Sequence, residues 1–387
     1  MKKILLVLMI LLLIAPCPRS VYASQGLEEL MEDIENRVQK DTLNEYMRES
    51  LLRELTGYDD IFEMIKDIAR GEYSPDLKEL FKGLMKGLKD SLLSNMGITV
   101  SITCICVLYG LVANVFSEHL TNPVKKASMC AVYLTVVAML VGTYTDSVSL
   151  TVNLITKIAS FMQAFVPLLI FILVISGGAL TSGLMSPALM FFSSSIMSII
   201  TGLVIPASRI GFGLTLADKF ISSVSFSHFG DFLKKSCYFI LGTMFTLFGS
   251  LVAMESFSFA STDGAAARAL KYAMKDSIPV IGGFLSDSSD TIAGFIMVIK
   301  NSLGLAGVLL ICAIAAVPVI RILGIYLSLK LCVIISQPFA DSRIVDAVNE
   351  SASFVFFVMV CAISVAVMFV ILTALLIFLG NYILLMR

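Results

Sequence analysis

Residues Ala352–Leu379 read ASFVFFVMVCAISVAVMFVILTALLIFL and contain no charged side chain. The run exceeds the roughly 20 residues that an α-helix needs to cross the hydrocarbon core of a bilayer. The whole chain shares this character: 57% of its 387 residues are hydrophobic, and the mean hydropathy is +0.91. Because soluble domains are only about 45–50% apolar, the composition predicts an all-α, polytopic helical membrane protein.

Seven further apolar runs precede this one. They lie near residues 97–116, 127–144, 158–176, 187–208, 236–254, 278–299 and 303–320. Most have about the length of one bilayer crossing. Two more stretches, 210–226 and 322–336, are mixed, and we expect them to lie in the interface or to enter the bilayer only partway. The sequence therefore predicts seven or eight membrane segments.

The first 23 residues have the features of a secretory signal peptide. Lys2-Lys3 precedes the apolar run Ile4–Ala15, and Val21–Ala23 supplies a cleavage site before Ser24. We predict that residues 1–23 are removed. An uncleaved anchor is the first alternative; lipidation at Cys17 is a weaker one, because a proline occupies the position where a lipobox needs a small residue.

Residues 24–95 form an acidic region that the signal peptide would export. They hold 17 of the 29 acidic and 10 of the 28 basic residues of the chain, a net charge of −7. Apolar residues at helical spacing predict amphipathic helices here. The last of them follows Ser74-Pro75 and carries lysines at 78, 82, 86 and 89. We expect this helix either to lie on a membrane surface or to pack in a small bundle with the earlier helices.

No motif of catalysis or cofactor binding occurs in the sequence. It lacks G-x-x-x-x-G-K-[ST], H-E-x-x-H and G-x-S-x-G, and its two histidines are not at ligand spacing from Cys104 and Cys106. The cysteines are interpreted as small apolar residues. Basic stripes with interleaved aromatics are absent, which disfavours nucleic acid. We predict no enzyme activity, no cofactor and no metal site.

Two pairs of prolines suggest an internal duplication. Pro167–Pro206 and Pro279–Pro318 have the same spacing, and the second pair follows the first by 112 residues. We predict repeat units at 155–255 and 267–370, inverted relative to each other; coincidence in an apolar sequence is the alternative. The two first membrane segments then occupy 96–154, and residues 371–387 end the last membrane helix.

Duplicated membrane units often enclose a path at their interface, through helices interrupted by glycine or proline. The candidate helix breaks are Pro167, Gly177, Gly178, Pro279, Gly282 and Gly283. Ionisable residues near membrane depth are the candidates for a pathway or for the repeat interface. They are Asp287, Asp290, Lys300, Arg209 and Arg321. The alternative for the two aspartates is that they lie at a solvent-exposed hairpin tip and have no functional role.

Charge also bears on sidedness. With the acidic region outside, the first membrane segment brings Lys125-Lys126 to the cytoplasm, as the positive-inside rule prefers. The same count of segments leaves Arg209 and Lys234-Lys235 on the outer side, against that rule. Allowing 210–226 to cross removes this conflict but moves Arg268 and the basic residues near it outside.

The run Lys271–Asp287, KYAMKDSIPVIGGFLSD, resembles the stage III sporulation protein AE family of endospore-forming bacteria. The resemblance implies a multi-pass protein of the mother-cell membrane that surrounds the forespore. There it would join other stage III sporulation membrane proteins, a separate cytoplasmic ATPase and a forespore partner in a channel between the two cells, needed for late forespore gene expression. The family offers no catalytic residues to assign.

Two other classes stay open from the residues alone. Inverted repeats with broken helices and buried carboxylates are the usual architecture of a secondary transporter. An intramembrane enzyme is the weaker alternative, because the sequence shows no paired nucleophile and base.

Overall fold

A computed structural model describes residues 40–49, 58–73, 77–115, 122–176, 178–220, 229–250 and 281–385. The described residues are almost entirely helical and include no strand. The helices are α1 (Lys40–Glu49), α2 (Ile61–Arg70), α3 (Leu77–Val115), α4 (Asn122–Ile175), α5 (Ala179–Ile199), α6 (Ile205–Phe220), α7 (229–250), α8 (Ile281–Ser336) and α9 (Ser342–Leu385). A π-helical segment, Ile200–Val204, joins α5 to α6. The signal-peptide prediction for 1–23 lies outside the described residues.

The polytopic all-α class is confirmed. Within the described residues five helices are long and apolar enough to cross a membrane, fewer than the seven or eight expected segments. The spans are Phe81–Leu111, Ala127–Ile175, Leu189–Lys219, Gly294–Ser336 and Ser342–Phe378. The difference arises because successive predicted segments share one helix. The segments near 127–144 and 158–176 both belong to α4. The described part of the segment near 278–299 and the whole segment near 303–320 belong to α8, which also includes the mixed stretch 322–336.

The polar residues between two apolar runs continue the helix instead of ending it. In α4, Asp146 and Lys157 are exposed while Val148 and Leu154 are buried, so the intervening turns keep an inner apolar face. The helix also runs through Pro167, and the break predicted at that residue is wrong. Although proline removes one backbone donor, buried neighbours such as Phe165 hold the helix on both sides.

Cross-helix contacts give the direction of each helix. Between α8 and α9 they are Asn381 Nδ2 to Asn301 Oδ1 (3.0 Å) and Lys330 Nζ to Asn349 Oδ1 (2.7 Å); between α3 and α8 they are Ser91 Oγ to the Arg321 carbonyl (3.1 Å) and Thr103 Oγ1 to Cys332 Sγ (3.4 Å). Helix α4 contacts α9 through Thr151 Oγ1 and the Val358 carbonyl (3.5 Å) and α6 through Tyr133 Oη and the Leu216 carbonyl (2.5 Å). Cys237 Sγ of α7 contacts the Val204 carbonyl of the π-helical segment (3.8 Å). Helices α3, α5–α6 and α8 therefore run one way, and α4, α7 and α9 run the other.

These directions define two ends of the bundle. The head end holds α1, α2, the first turns of α3, the first half of α8 and the last turns of α4 and α9; Tyr46 of α1 meets Phe161 of α4 there, with ring centroids 5.7 Å apart, and α2 packs on α8. The basic end holds the last turns of α3, α6 and α8 and the first turns of α4, α7 and α9.

The acidic region is anchored by local caps and by burial. Asp60 caps α2 by accepting a hydrogen bond from the Phe62 amide (2.9 Å), and Gly71 ends it at φ 74°, where a residue without Cβ is favoured. Asn44 of α1 accepts a hydrogen bond from the Ile61 amide at 3.0 Å. The two short helices thus contact each other and also pack on the long ones.

Helix α3 joins the acidic region to the membrane. It is continuous from Leu77 to Val115, so the lysine-bearing helix and the first membrane segment are one element. Phe81 on its apolar stripe is 66% exposed, whereas Ser91 contacts α8. The helix is therefore neither a separate surface helix nor a member of a small bundle with α1 and α2.

The two predicted repeat units follow different local paths where both are described. The first unit is interrupted at Ser176–Gly178, between α4 and α5, whereas the positions 112 residues later, 288–290, lie inside α8. The second unit begins in residues 251–280, which lie outside the described residues together with Pro279. The internal duplication stays a prediction.

Candidate functional site

Charged and polar side chains of three helices converge at the basic end. We call this group the basic-end cluster: Lys234 of α7, Lys330 of α8, and Asn349, Glu350 and Ser353 of α9. Lys330 Nζ donates to Asn349 Oδ1 at 2.7 Å, and Lys234 Nζ lies 3.8 Å from Glu350 Oε2. Lys234 also donates to Ser353 Oγ. The cluster combines two cations with one carboxylate and two neutral acceptors.

The register of the α8–α9 hairpin brings the cluster together. Its connection, residues 337–341, lies between α8 and α9, and Lys330 and Asn349 are 9 and 10 residues from its central residue, 339. In α9, Glu350 and Ser353 are three residues apart and share a face, which α7 covers at Lys234. Side-chain exposure is only 15% for Lys234 and 32% for Glu350, so water screens this pair incompletely.

Aromatic rings border the cluster on its inner side. Lys234 Nζ lies 4.8 Å from the centroid of the Phe354 ring, a cation–π distance. Behind it, Phe212 meets Phe354 with centroids 5.6 Å apart, and Tyr144 stacks on Phe212 at 4.1 Å. The Tyr144 and Ser208 hydroxyls are hydrogen-bonded at 2.7 Å. The rings separate the charged end from the apolar interior.

The cluster lies next to the π-helical segment of the α5–α6 element. Its residues Ile200–Val204 include the Val204 carbonyl, which accepts a weak hydrogen bond from Cys237 Sγ of α7 at 3.8 Å. Such π segments occur often at functional sites. Among the described residues no three His, Cys, Asp or Glu side chains are placed to hold a metal ion.

Lys300 is the predicted site residue with the most unusual environment. Only 1% of its surface is exposed, and its Nζ atom makes no hydrogen bond in the described part of the chain. Ser302 Oγ and Asn381 Oδ1 are also buried without a hydrogen bond there, and Asn381 Nδ2 donates to Asn301 Oδ1 at 3.0 Å. The head end therefore contains several buried polar atoms with unused hydrogen-bonding capacity, which is costly in an apolar interior.

The structure separates the other charged candidates. Arg209 and Arg321 are exposed on α6 and α8, and Arg321 lies about 30 Å from Lys300 along α8. Asp287 and Asp290 belong to the first turns of α8, but their side chains lie outside what the structure describes. The described residues thus do not assemble these five candidates into one site.

The candidate helix breaks have different outcomes. Gly178 directly precedes α5 and occupies its N-cap position, and Gly177 lies outside the described residues. Gly282 and Gly283 belong to the first turn of α8, which begins at Ile281. Pro167, as stated above, lies within α4.

Sequence reasoning missed Lys330, Asn349, Glu350 and Ser353. Lys330 lies in the mixed stretch 322–336, Asn349 and Glu350 lie just before the run 352–379, and Ser353 is an uncharged residue within it, so a search for charges inside the apolar runs passes over all four. A usable signal was present: in an antiparallel hairpin, residues equidistant from the connection face each other. Applied to residues 337–341, this rule places Lys330 opposite Val348, one residue from Asn349.

These features define a multi-pass helical membrane protein with a charged cluster between its helices. The chain belongs to the stage III sporulation protein AE family, whose family profile matches residues 60–380; this confirms the resemblance inferred from Lys271–Asp287. A protein of Bacillus subtilis (strain 168) with the name Stage III sporulation protein AE is 24% identical over 326 residues, which are 84% of this chain and 81% of that protein. No solved structure matches this chain.

Proposed function

We propose that this chain is a non-enzymatic membrane subunit of a multiprotein sporulation channel, or secretion-like complex, that connects mother cell and forespore and is needed for late forespore development. It lies in the mother-cell membrane around the forespore, with its N-terminal region outside the cytoplasm. Its partners are other stage III sporulation membrane proteins, including a separate cytoplasmic ATPase and a forespore protein. Membership of the family supports the sporulation role.

The observation that carries the subunit role is the length of the helices. Helices α4 and α8 contain 54 and 56 residues, which corresponds to about 80 Å each. The hydrocarbon core of a bilayer is only about 30 Å thick. Tilting by about 40° lengthens the path through that core to only about 40 Å. About half of each helix therefore extends beyond the core.

Both halves of the bundle expose large apolar side chains. On α4, Leu134 is 55% exposed towards the basic end and Val174 is 44% exposed towards the head end, about 60 Å away along the helix; Phe191 of α5, also towards the head end, is 67% exposed. A hydrocarbon core about 30 Å thick cannot cover both ends of this apolar surface. Apolar patches exposed to water are typical of protein interfaces, so the other end is best explained by contact with neighbouring subunits.

Charge distribution supports the proposed sidedness. Lys219, Lys234, Lys330 and Arg343 lie near short connections at the basic end. Residues 24–95 hold 10 basic residues of their own, but long polar regions are translocated largely regardless of their charge. The lysines and arginines near the short connections therefore decide the positive-inside rule and favour a cytoplasmic basic end. In this arrangement Lys234 is on the same side as Lys330, so the conflict left by counting segments does not arise at that residue.

Photocrosslinking in sporulating cells tests the proposal. A photoreactive amino acid at Phe191 should give adducts with other stage III sporulation membrane proteins, and the same amino acid at Phe161, which is buried, should give none. Affinity purification after crosslinking should recover the same partners. If Phe191 gives only lipid adducts in cells that sporulate normally, the subunit role is contradicted.

A secondary transporter is the second candidate. The charged pair between α7 and α9 and the interruption between α4 and α5 are features that such proteins use around a transport path. The purified chain would then move a solute or dissipate an ion gradient when it is reconstituted alone in liposomes. A channel subunit should be inactive in that assay.

A further inference from the structure

One face of α3 changes from cationic to apolar along the helix. Lys82, Lys86 and Lys89 are exposed and follow each other at spacings of four and three residues, so they share a face. Met96 and Val100 continue that face towards the basic end. The change from charge to hydrocarbon occurs within about two turns of helix.

An apolar groove begins where the lysines end. It lies between α3 and α8, has a volume of about 680 Å³, and is lined at its head-side end by Met85, Leu88 and Lys89 and at its far end by Leu108 and Ile335. Residues 85 to 108 of α3 span about 35 Å, close to the roughly 30 Å of a bilayer core. The groove can therefore run through the bilayer with its lysine end at the surface.

Both threonine hydroxyls in the groove wall are already engaged. Thr103 Oγ1 donates to Cys332 Sγ at 3.4 Å, and Thr99 Oγ1 donates to the Asn95 carbonyl at 3.1 Å. The groove is open to the surroundings, since Val100 is 60% exposed. A ligand here meets hydrocarbon along the groove and cations at one end only.

We propose that this groove is a binding site for an anionic phospholipid. The acyl chains lie along the groove between α3 and α8, and the phosphate lies at Lys82, Lys86 and Lys89. A free phosphate would leave the groove unused, and a zwitterionic lipid would carry no net charge for the lysines to attract. The exposed Asp90 follows Lys86 by four residues, so one carboxylate borders the three lysines and leaves them with a net positive charge of two.

Cys104 provides a direct probe, because it is exposed and lines the groove. The full chain, with Cys17, Cys130 and Cys312 replaced by serine, is labelled at Cys104 with a bimane fluorophore; the other four cysteines are buried. It is reconstituted into vesicles of neutral phosphatidylcholine that contain either brominated phosphatidylglycerol or brominated phosphatidylcholine at equal mole fraction. Bromine quenches the fluorophore only from lipids that contact it.

We expect brominated phosphatidylglycerol to quench at a much lower mole fraction than brominated phosphatidylcholine. Replacing Lys82, Lys86 and Lys89 by glutamine should remove this preference. Each single lysine should account for a factor of about five in the relative affinity for the anionic lipid. Lys235→Gln, which removes an exposed lysine at the basic end, should leave the preference intact and is the matched control.

Three results would overturn the proposal. Equal quenching by the two lipids in the unmodified site would show ordinary lipid contact. A preference that survives the triple substitution, or that Lys235→Gln weakens equally, would show a general effect of protein charge. A Cys104 that resists labelling and quenching in the purified, monodisperse protein would show that a protein segment occupies the groove.

Discussion

At Gly110, α3 packs closely against the backbone of the α8–α9 connection. A Cβ atom at Gly110 would overlap the carbonyl oxygen of Phe339 and would lie 2.7 Å from its carbonyl carbon. Both atoms belong to backbone, which cannot rotate away as a side chain can. Gly110→Ala should therefore force α3 or the connection to move.

The magnitude follows from comparison with a second glycine of the same helix. Overpacking a close-packed site costs about 1–3 kcal/mol, while alanine is favoured over glycine in a helix by about 1 kcal/mol. Among the described residues, no neighbouring atom lies within 4 Å of the position that a methyl group added at Gly97 would occupy. Gly97→Ala therefore gains the helix propensity of alanine without any overpacking cost. Gly110→Ala should thus be less stable than Gly97→Ala by about 1–3 kcal/mol, because the helix-propensity term cancels.

Thermal unfolding of the two purified variants in the same detergent measures this difference. Gly110→Ala should unfold at a lower temperature than the unchanged chain, and Gly97→Ala at the same or a higher one. If the two variants unfold together, the contact between α3 and the connection at Phe339 is not as the structure has it, and the register of α3 against α8 needs revision.

Three further outcomes are expected. Lys234→Glu and Glu350→Lys should each lower stability by about 1–2 kcal/mol, given their partial burial, and the double exchange should restore much of it; a double variant no better than the worse single variant would argue against the ion pair. Asp287→Ala with Asp290→Ala should leave membrane abundance unchanged by immunoblot but block spore formation, and normal spore yield would assign these residues to an idle turn. Tyr58 Oη donates a hydrogen bond to Asp67, which raises the pKa of Tyr58 to about 12. The stabilisation that this hydrogen bond gives the acidic region should therefore be complete below about pH 10 and lost as the pH rises through about 12. The ultraviolet difference between the chain and Tyr58→Phe should therefore titrate near 12; titration near 10 would exclude the hydrogen bond.

Local chemistry was enough to identify the class and the family. The transfer of apolar side chains out of water depends on composition over a short window, so Ala352–Leu379 already indicated a membrane helix. The run Lys271–Asp287 indicated the family without any knowledge of its structure. The helix α2 was visible from the spacing of its apolar residues, because helical periodicity and caps are also local.

The continuity of α4 and α8 and the identity of the charged cluster depended on tertiary structure. A polar stretch between two apolar runs resembles a loop, but a helix can carry the same residues on an outer face when its inner face is packed, as at Asp146. Pro167 similarly leaves α4 intact because neighbouring helices hold the flanking turns. The pairing of Lys234 with Glu350 joins residues 116 positions apart. Such a contact is decided by helix register and packing between helices, which single-helix periodicity does not contain.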